Sequence, residues 1–234
     1  MSASVKPPVV LIHGFATSTQ TTWREPGWFD LLKDAGRRAI GIDLLGHGEA
    51  PKPTDPADYD DLAGPVLAQM PESQVDIIGY SLGARTALEI AIAHPERIRK
   101  MVLAGVGRNV VETDPAPAHT PDSPDTPGRS SMAPHIMQRF EALIATAGDD
   151  GSALRACMSA PRPLFTTAQL ATIDIPCLLV MGDEDFAGPP EPLADALPNS
   201  QVKLLRKVDH FGLPKQFGFI DAALEFIDAV PDWG

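Results

Sequence analysis

The 234-residue chain is poor in cysteine, in cations and in long apolar runs. Its two cysteines, Cys157 and Cys177, form no C-x-x-C pair, which excludes a disulfide framework and a Cys-rich zinc module. Nineteen Lys and Arg stand against 31 Asp and Glu, a net charge of −12. Nucleic-acid binders need cations to replace condensed counterions, and docking on anionic lipid needs them too, so neither partner is expected. The longest apolar stretches, such as Val9–Ile12 and Cys177–Met181, are far shorter than the ~20 residues that cross a bilayer. Residues Met1 to Pro8 hold no apolar targeting run, and the expected location is cytoplasmic. There is no G-x-x-x-x-G-K-[ST] loop, and Gly46-His47-Gly48 is too short for a dinucleotide fingerprint. No His/Cys cluster has metal-site spacing. Neither cofactor nor metal is expected.

The composition that remains, 44% apolar and 21% charged, is that of an ordinary globular protein. A chain of this length buries about 70–75% of its unfolded surface and needs no covalent staple. Short runs rich in Val and Ile alternate with amphipathic stretches, the pattern of βαβ units on a parallel sheet. Strands are expected at Pro8–Ile12, Arg38–Asp43, Val75–Gly79, Lys100–Ala104, Ile175–Met181 and Gln201–Leu205. Helices are expected at Trp28–Ala35, Tyr59–Met70, Leu82–Ala93, Ile136–Thr146, Pro190–Leu197 and Pro214–Ala229. In the last, Phe217, Ile220, Leu224 and Ile227 form one stripe. Many of the 24 prolines fall between Pro115 and Pro134, where no helix interior or central strand can form. The expected fold is a doubly wound, mostly parallel α/β sheet, residues 1–107 and 172–234, with an irregular Pro-rich insertion at 108–171. That insertion follows a strand end, where α/β proteins build their sites.

Gly79-Tyr80-Ser81-Leu82-Gly83 matches G-x-S-x-G between a buried strand and a helix. A sharp strand-to-helix turn leaves little room for Cβ atoms, which explains the glycines, and it thrusts out the Ser81 hydroxyl. A hydroxyl becomes a nucleophile only when a base takes its proton. His94 precedes Pro95, and His119 and His135 lie in the Pro-rich insertion. His13 and His47 sit in glycine-flanked loops. His210, between the last strand and the last helix, opens on the same edge as Ser81 and is the best base. The acid that orients it is expected after the strand ending in Met181, at Asp185 or Asp183; Asp209 is too close in sequence to point back at the ring. Two backbone N–H groups should hold the oxyanion, Leu82 after the nucleophile and Phe15 after the first strand. His13 then shapes the turn without moving protons. Phe15, Trp23 and Trp28 are near enough to line a pocket, although aromatics so close to a core usually pack.

The chain resembles the α/β-hydrolase superfamily through Leu11-Ile12-His13-Gly14-Phe15, Asp43-Leu44-Leu45-Gly46-His47-Gly48, Gly79-Tyr80-Ser81-Leu82-Gly83, Gly182-Asp183-Glu184-Asp185 and Asp209-His210. The family pattern favours Asp185 over Asp183 and makes His47 structural. The departure is Ala50, near where many relatives carry Ser. The resemblance also implies that the insertion caps the site. Being short, it implies an open pocket suited to long or bulky esters. The implied activity is that of a carboxylesterase acting on a small-molecule ester through Ser81, His210 and Asp185. Ser81 excludes haloalkane dehalogenase and epoxide hydrolase chemistry, which use Asp at that position. Gly79–Arg85 also resembles the elbow of menaquinone-pathway synthases, in which Arg85, with Tyr80 beside it, would contact substrate; otherwise Arg85 is a surface charge. Carbon–carbon bond hydrolysis on the same three residues, and a ligand-binding protein without turnover, are the other readings.

Overall fold

A computed structural model describes residues 6–112, 133–148 and 151–231. Six strands, β1 (Val9–Ile12), β2 (Ala39–Ile42), β3 (Val75–Tyr80), β4 (Ile98–Ala104), β5 (Cys177–Gly182) and β6 (Ser200–Leu205), form one parallel sheet in the order β2-β1-β3-β4-β5-β6. β1, β3 and β5 are buried at every position, which is why each reads as an unbroken apolar run rather than as alternation.

Successive side chains on a strand point to opposite faces. Val10 and Ile12 of β1 join Ile77, Met101 and Leu179 on one face, under α2 (Ala63–Leu67), α3 (Leu82–Ala93) and α7 (Glu191–Ala196). Val9 and Leu11 join Ile78, Val102 and Val180 on the other, under α1 (Trp28–Asp34) and α8 (Phe217–Phe226). Trp23 and Trp28 are fully buried in this second layer, edge to face at 5.2 Å, with Phe219 5.0 Å from Trp28. Of the three aromatics considered for a pocket, these two are packing. The stripe of α8 is also corrected. Phe217 is 82% exposed, and Phe219, Ile220, Ala223 and Leu224 face the sheet. α8 is shorter than expected because Pro214 belongs to a separate 3₁₀ turn, Leu213–Lys215. Likewise α2 is one short helix after a 3₁₀ turn at Pro56–Tyr59, where a single helix over Tyr59–Met70 was expected.

Between β4 and β5 the chain is more regular than its prolines suggest. Residues 113–132, most of the Pro-rich stretch, lie outside the described residues, as does His119. The rest forms α4 (Pro134–Ala145), α5 (Ser152–Ser159) and α6 (Thr167–Leu170). A bridge between Val111 and Phe165 joins the two ends of this segment.

Candidate active site

The chain winds from β1 to β2 on one side and returns to β3 on the other. Strand order therefore reverses between β1 and β3, the place where open α/β sheets bind ligands at the carboxyl ends of their strands. Ser81 follows β3 there, and Phe15 follows β1.

Ser81 has φ +53° and ψ −112°, a conformation that costs a non-glycine residue energy and is held by its surroundings. Its N–H donates to Ala104 O (2.8 Å), and its carbonyl accepts from Arg85 N as the first bond of α3 (3.0 Å). A Cβ at Gly83 would lie 2.2 Å from Ile12 O, so the elbow requires glycine there for close backbone approach. The Ser81 hydroxyl donates to His210 Nε2 at 2.9 Å. His210 Nδ1–H donates to Asp185, 2.8 Å from one carboxylate oxygen and 3.0 Å from the other. A carboxylate at Nδ1 fixes the proton there and leaves Nε2 as the acceptor. The imidazole and the carboxylate are almost wholly buried, with side-chain exposures of 3% and 0%. Asp185 is itself aimed by the Ala187 N–H (2.8 Å).

The rival acids are otherwise engaged. Asp183 accepts Lys207 N–H at 2.6 Å. Asp209 accepts Gly212 N–H at 2.7 Å and the Arg139 guanidinium at 2.6 Å. His13 donates from Nδ1 to Gly14 O (2.8 Å) and accepts Leu44 N–H at Nε2 (3.0 Å), so it is neutral and braces two loops. Its burial depresses its pKa. His47 donates to Leu45 O (2.9 Å), and burial and then the adjacent His13 push it down to about 3. Neither imidazole reaches Ser81 by a hydrogen bond among the described residues. The N–H groups of Phe15 and Leu82 have no hydrogen-bond partner among the described residues, which leaves two donors beside the serine.

Two cavities, of about 330 and 260 Å³, share Ser81, Phe15 and Phe140 in their walls. The larger contains His210, Tyr80 and His47 with a rim of threonines and lysines. The smaller is apolar, with Leu82, Val110, Met158 and Phe186, and also carries Arg85 and Arg162. Arg85 is therefore no surface charge. It is 8% exposed, donates to Pro163 O (2.6 Å), lies 3.3 Å from Glu89 and covers the Phe165 ring at 4.6 Å. Burial lowers its pKa, with Arg162 acting in the same direction and Glu89 against it. Arg162, Phe140, Phe186 and Phe211 were not anticipated. The Phe186 ring lies 4.3 Å from that of His210, tilted by 42°, and Phe140 of α4 touches Phe15, Phe186 and Phe211, from the loops after β1, β5 and β6.

The model of the alpha/beta hydrolase fold family matches residues 7–133, more than half of the chain. The chain belongs to the α/β-hydrolase family. It is 32% identical over 228 residues to a pimeloyl-[acyl-carrier protein] methyl ester esterase of Neisseria meningitidis serogroup A, covering 86% of this chain and 70% of that protein. It is 28% identical over 258 residues to a putative 2-succinyl-6-hydroxy-2,4-cyclohexadiene-1-carboxylate synthase of Bacillus subtilis, covering 95% and 90%. Among solved structures, a 2-hydroxy-6-oxo-6-phenylhexa-2,4-dienoate hydrolase from Rhodococcus superposes with a TM-score of 0.68 at 18% identity, covering 95% and 91%. Family membership makes the protein an enzyme of the α/β-hydrolase type. Among the described residues no helix is long and apolar enough to cross a membrane, and no group of three His, Cys, Asp or Glu is placed to hold a metal ion.

Proposed function

We propose that the protein is a serine hydrolase that cleaves carboxylic esters through an acyl-enzyme on Ser81. The observation that carries this is the buried line Ser81–His210–Asp185 beside two unengaged N–H groups. Ser81 Oγ attacks the acyl carbon while its proton passes to His210 Nε2. Phe15 and Leu82 N–H stabilise the oxyanion. Asp185 keeps the ring in the productive tautomer and stabilises the imidazolium. The tetrahedral centre collapses, the bond to the alcohol oxygen breaks, and that oxygen takes the proton from His210. Water then repeats the sequence and frees the acid. The ester esterase from Neisseria supports the ester as substrate. The two cavities give the halves of the ester separate places. In this reading α4 and α5 act as the cap, with Phe140 as its point of closure.

A second reading has one specific observation behind it. Arg85 and Arg162 in the smaller cavity suit an anionic acyl half. That fits an elimination that forms a cyclohexadiene dicarboxylate, the kind of compound after which the Bacillus relative is named, or cleavage of a carbon–carbon bond in a keto acid. Hydrolysis of short p-nitrophenyl esters, assayed against formation of the conjugated diene from a cyclohexene polycarboxylate, separates these readings. Ser81→Ala should reduce turnover by roughly 10⁴-fold or more with folding retained. A fluorophosphonate should label the parent at Ser81, as located by mass mapping. Retained ester turnover in Ser81→Ala refutes the proposal, and an unlabelled parent favours a binding protein.

A further inference from the structure

Tyr80 stands where the nucleophile elbow, the first-strand loop and the histidine loop meet. It ends β3, is 5% exposed, and precedes Ser81 directly. Its hydroxyl donates to the main-chain carbonyl of His210 at 2.8 Å, across 130 residues of sequence. The other donor to that carbonyl, Leu213 N–H, is distant at 3.4 Å. The Tyr80 ring lies 5.4 Å from the imidazole at 36°. On one side it fills the space over Gly14, where a Cβ would come within 2.7 Å of two ring carbons. On another it meets Gly105, where a Cβ would sit 3.2 Å from the phenol ring and 3.1 Å from the imidazole. One rigid side chain thus touches the loop that carries Phe15 and the backbone that carries His210, while its own peptide carries Ser81.

We infer that Tyr80 is a positioning residue, whose hydroxyl sets the distance between the serine and the imidazole by pinning the backbone of His210 to the elbow. The inference rests on the roles proposed for Ser81 and His210. The hydroxyl is spent on that carbonyl, which leaves it no second proton to donate to substrate in the larger cavity. Burial and the carboxylates of Asp185 and Asp209 raise the phenol far above the ordinary tyrosine range, so the donor persists at every working pH. Without it, the His210 carbonyl keeps only the long contact from Leu213. Displacements near 1 Å cost catalysis roughly 100-fold.

The test is Tyr80→Phe, which keeps the ring and removes the hydroxyl. Two rates are measured: ester turnover against pH, and covalent labelling of Ser81 by a fluorophosphonate, which reads nucleophile activation without reference to the natural substrate. Thermal unfolding of both proteins reads folding separately. The expected result is a fall of about 10- to 100-fold in kcat and in the labelling rate. KM should stay within about twofold, and the midpoint of the acidic limb should not move, because the hydroxyl touches the backbone of His210 and not its ring. A fall below about threefold in labelling overturns the inference while the serine assignment stands. So does a loss carried by KM, which would make the hydroxyl a substrate ligand. If the parent itself is not labelled, the serine reading fails and takes this inference with it.

Discussion

Acid should destabilise this protein through an imidazole that takes no part in the proposed proton transfer. His47 lies 5.2 Å from His13 and edge-on to Phe15 at 5.6 Å, beneath the loop proposed to hold the oxyanion. Its Nδ1–H is spent on Leu45 O, and its buried Nε2 has no partner among the described residues, so a second proton would find no acceptor. Burial first, and then His13, take its pKa from 6.5 to about 3. Between those values the unfolded chain binds the proton and the folded chain does not. Stability therefore rises with pH across this window and is lost as pH falls below 6.5. One proton is worth about 1.4 kcal/mol per pH unit, so this residue removes about 2 kcal/mol by pH 5. His13, whose pKa is lowered by the same burial, adds in the same direction. His47→Asn replaces Nδ1–H with an amide N–H that can still reach Leu45 O, and it has nothing to protonate. Urea unfolding at pH 7.5, 6 and 5, read by fluorescence of the buried Trp23 and Trp28, measures both proteins. Between pH 7.5 and 5 the parent should lose about 2 kcal/mol more than the variant. Parallel curves for the two proteins would refute the assignment of that proton to His47.

Three further outcomes follow from other contacts. Asp185→Asn cannot hold His210 in the required tautomer, and kcat should fall by about 10⁴-fold with the fold intact; a loss under tenfold in ester turnover would exclude Asp185 as the orienting acid. Gly83→Ala would put a Cβ 2.2 Å from Ile12 O and 2.5 Å from His13 O, both rigid backbone atoms. It should cost about 1–3 kcal/mol or more, several degrees in Tm, and disturb the Phe15 loop; an unchanged Tm by calorimetry would contradict the close approach. At the opposite end of β3, Asp76 is fully buried and binds Arg99 at 2.8 and 2.6 Å as well as the guanidinium of Arg37. Asp76→Ala should cost about 3–5 kcal/mol in urea unfolding while leaving kcat unchanged in protein kept folded by low temperature, and a stability loss below about 1 kcal/mol would show that Arg37 finds another partner.

The parts of the site that could be read in advance are those whose chemistry is local in sequence. Ser81 is announced by two glycines that the turn demands, and Val75–Tyr80 and Cys177–Gly182 by apolar runs that only a strand buried on both faces needs. The capping box of Thr166 and Gln169 is a local signal for the start of α6 as well. The α8 stripe shows the limit of periodicity. Phe217 fits the apolar face of Ile220 and Leu224 by spacing, yet it is the first residue of α8 and lies exposed, while Phe219, off that stripe, is buried. Arg85 lay beyond such reasoning. It reads as an exposed helical charge until Pro163 and Phe165, some 80 residues later, are brought back over it. The same holds for Phe140, Phe186 and Phe211, each on a different segment and meaningless singly. Catalytic groups obey strict stereochemistry and leave a mark in the sequence around them. The walls that choose the substrate need only to be apolar and in the right place. Many sequences satisfy that, and Val110, Phe140, Met158 and Arg162 of the smaller cavity all come from the segment between β4 and β5, so substrate choice can change there while the proposed Ser81, Asp185 and His210 stay fixed.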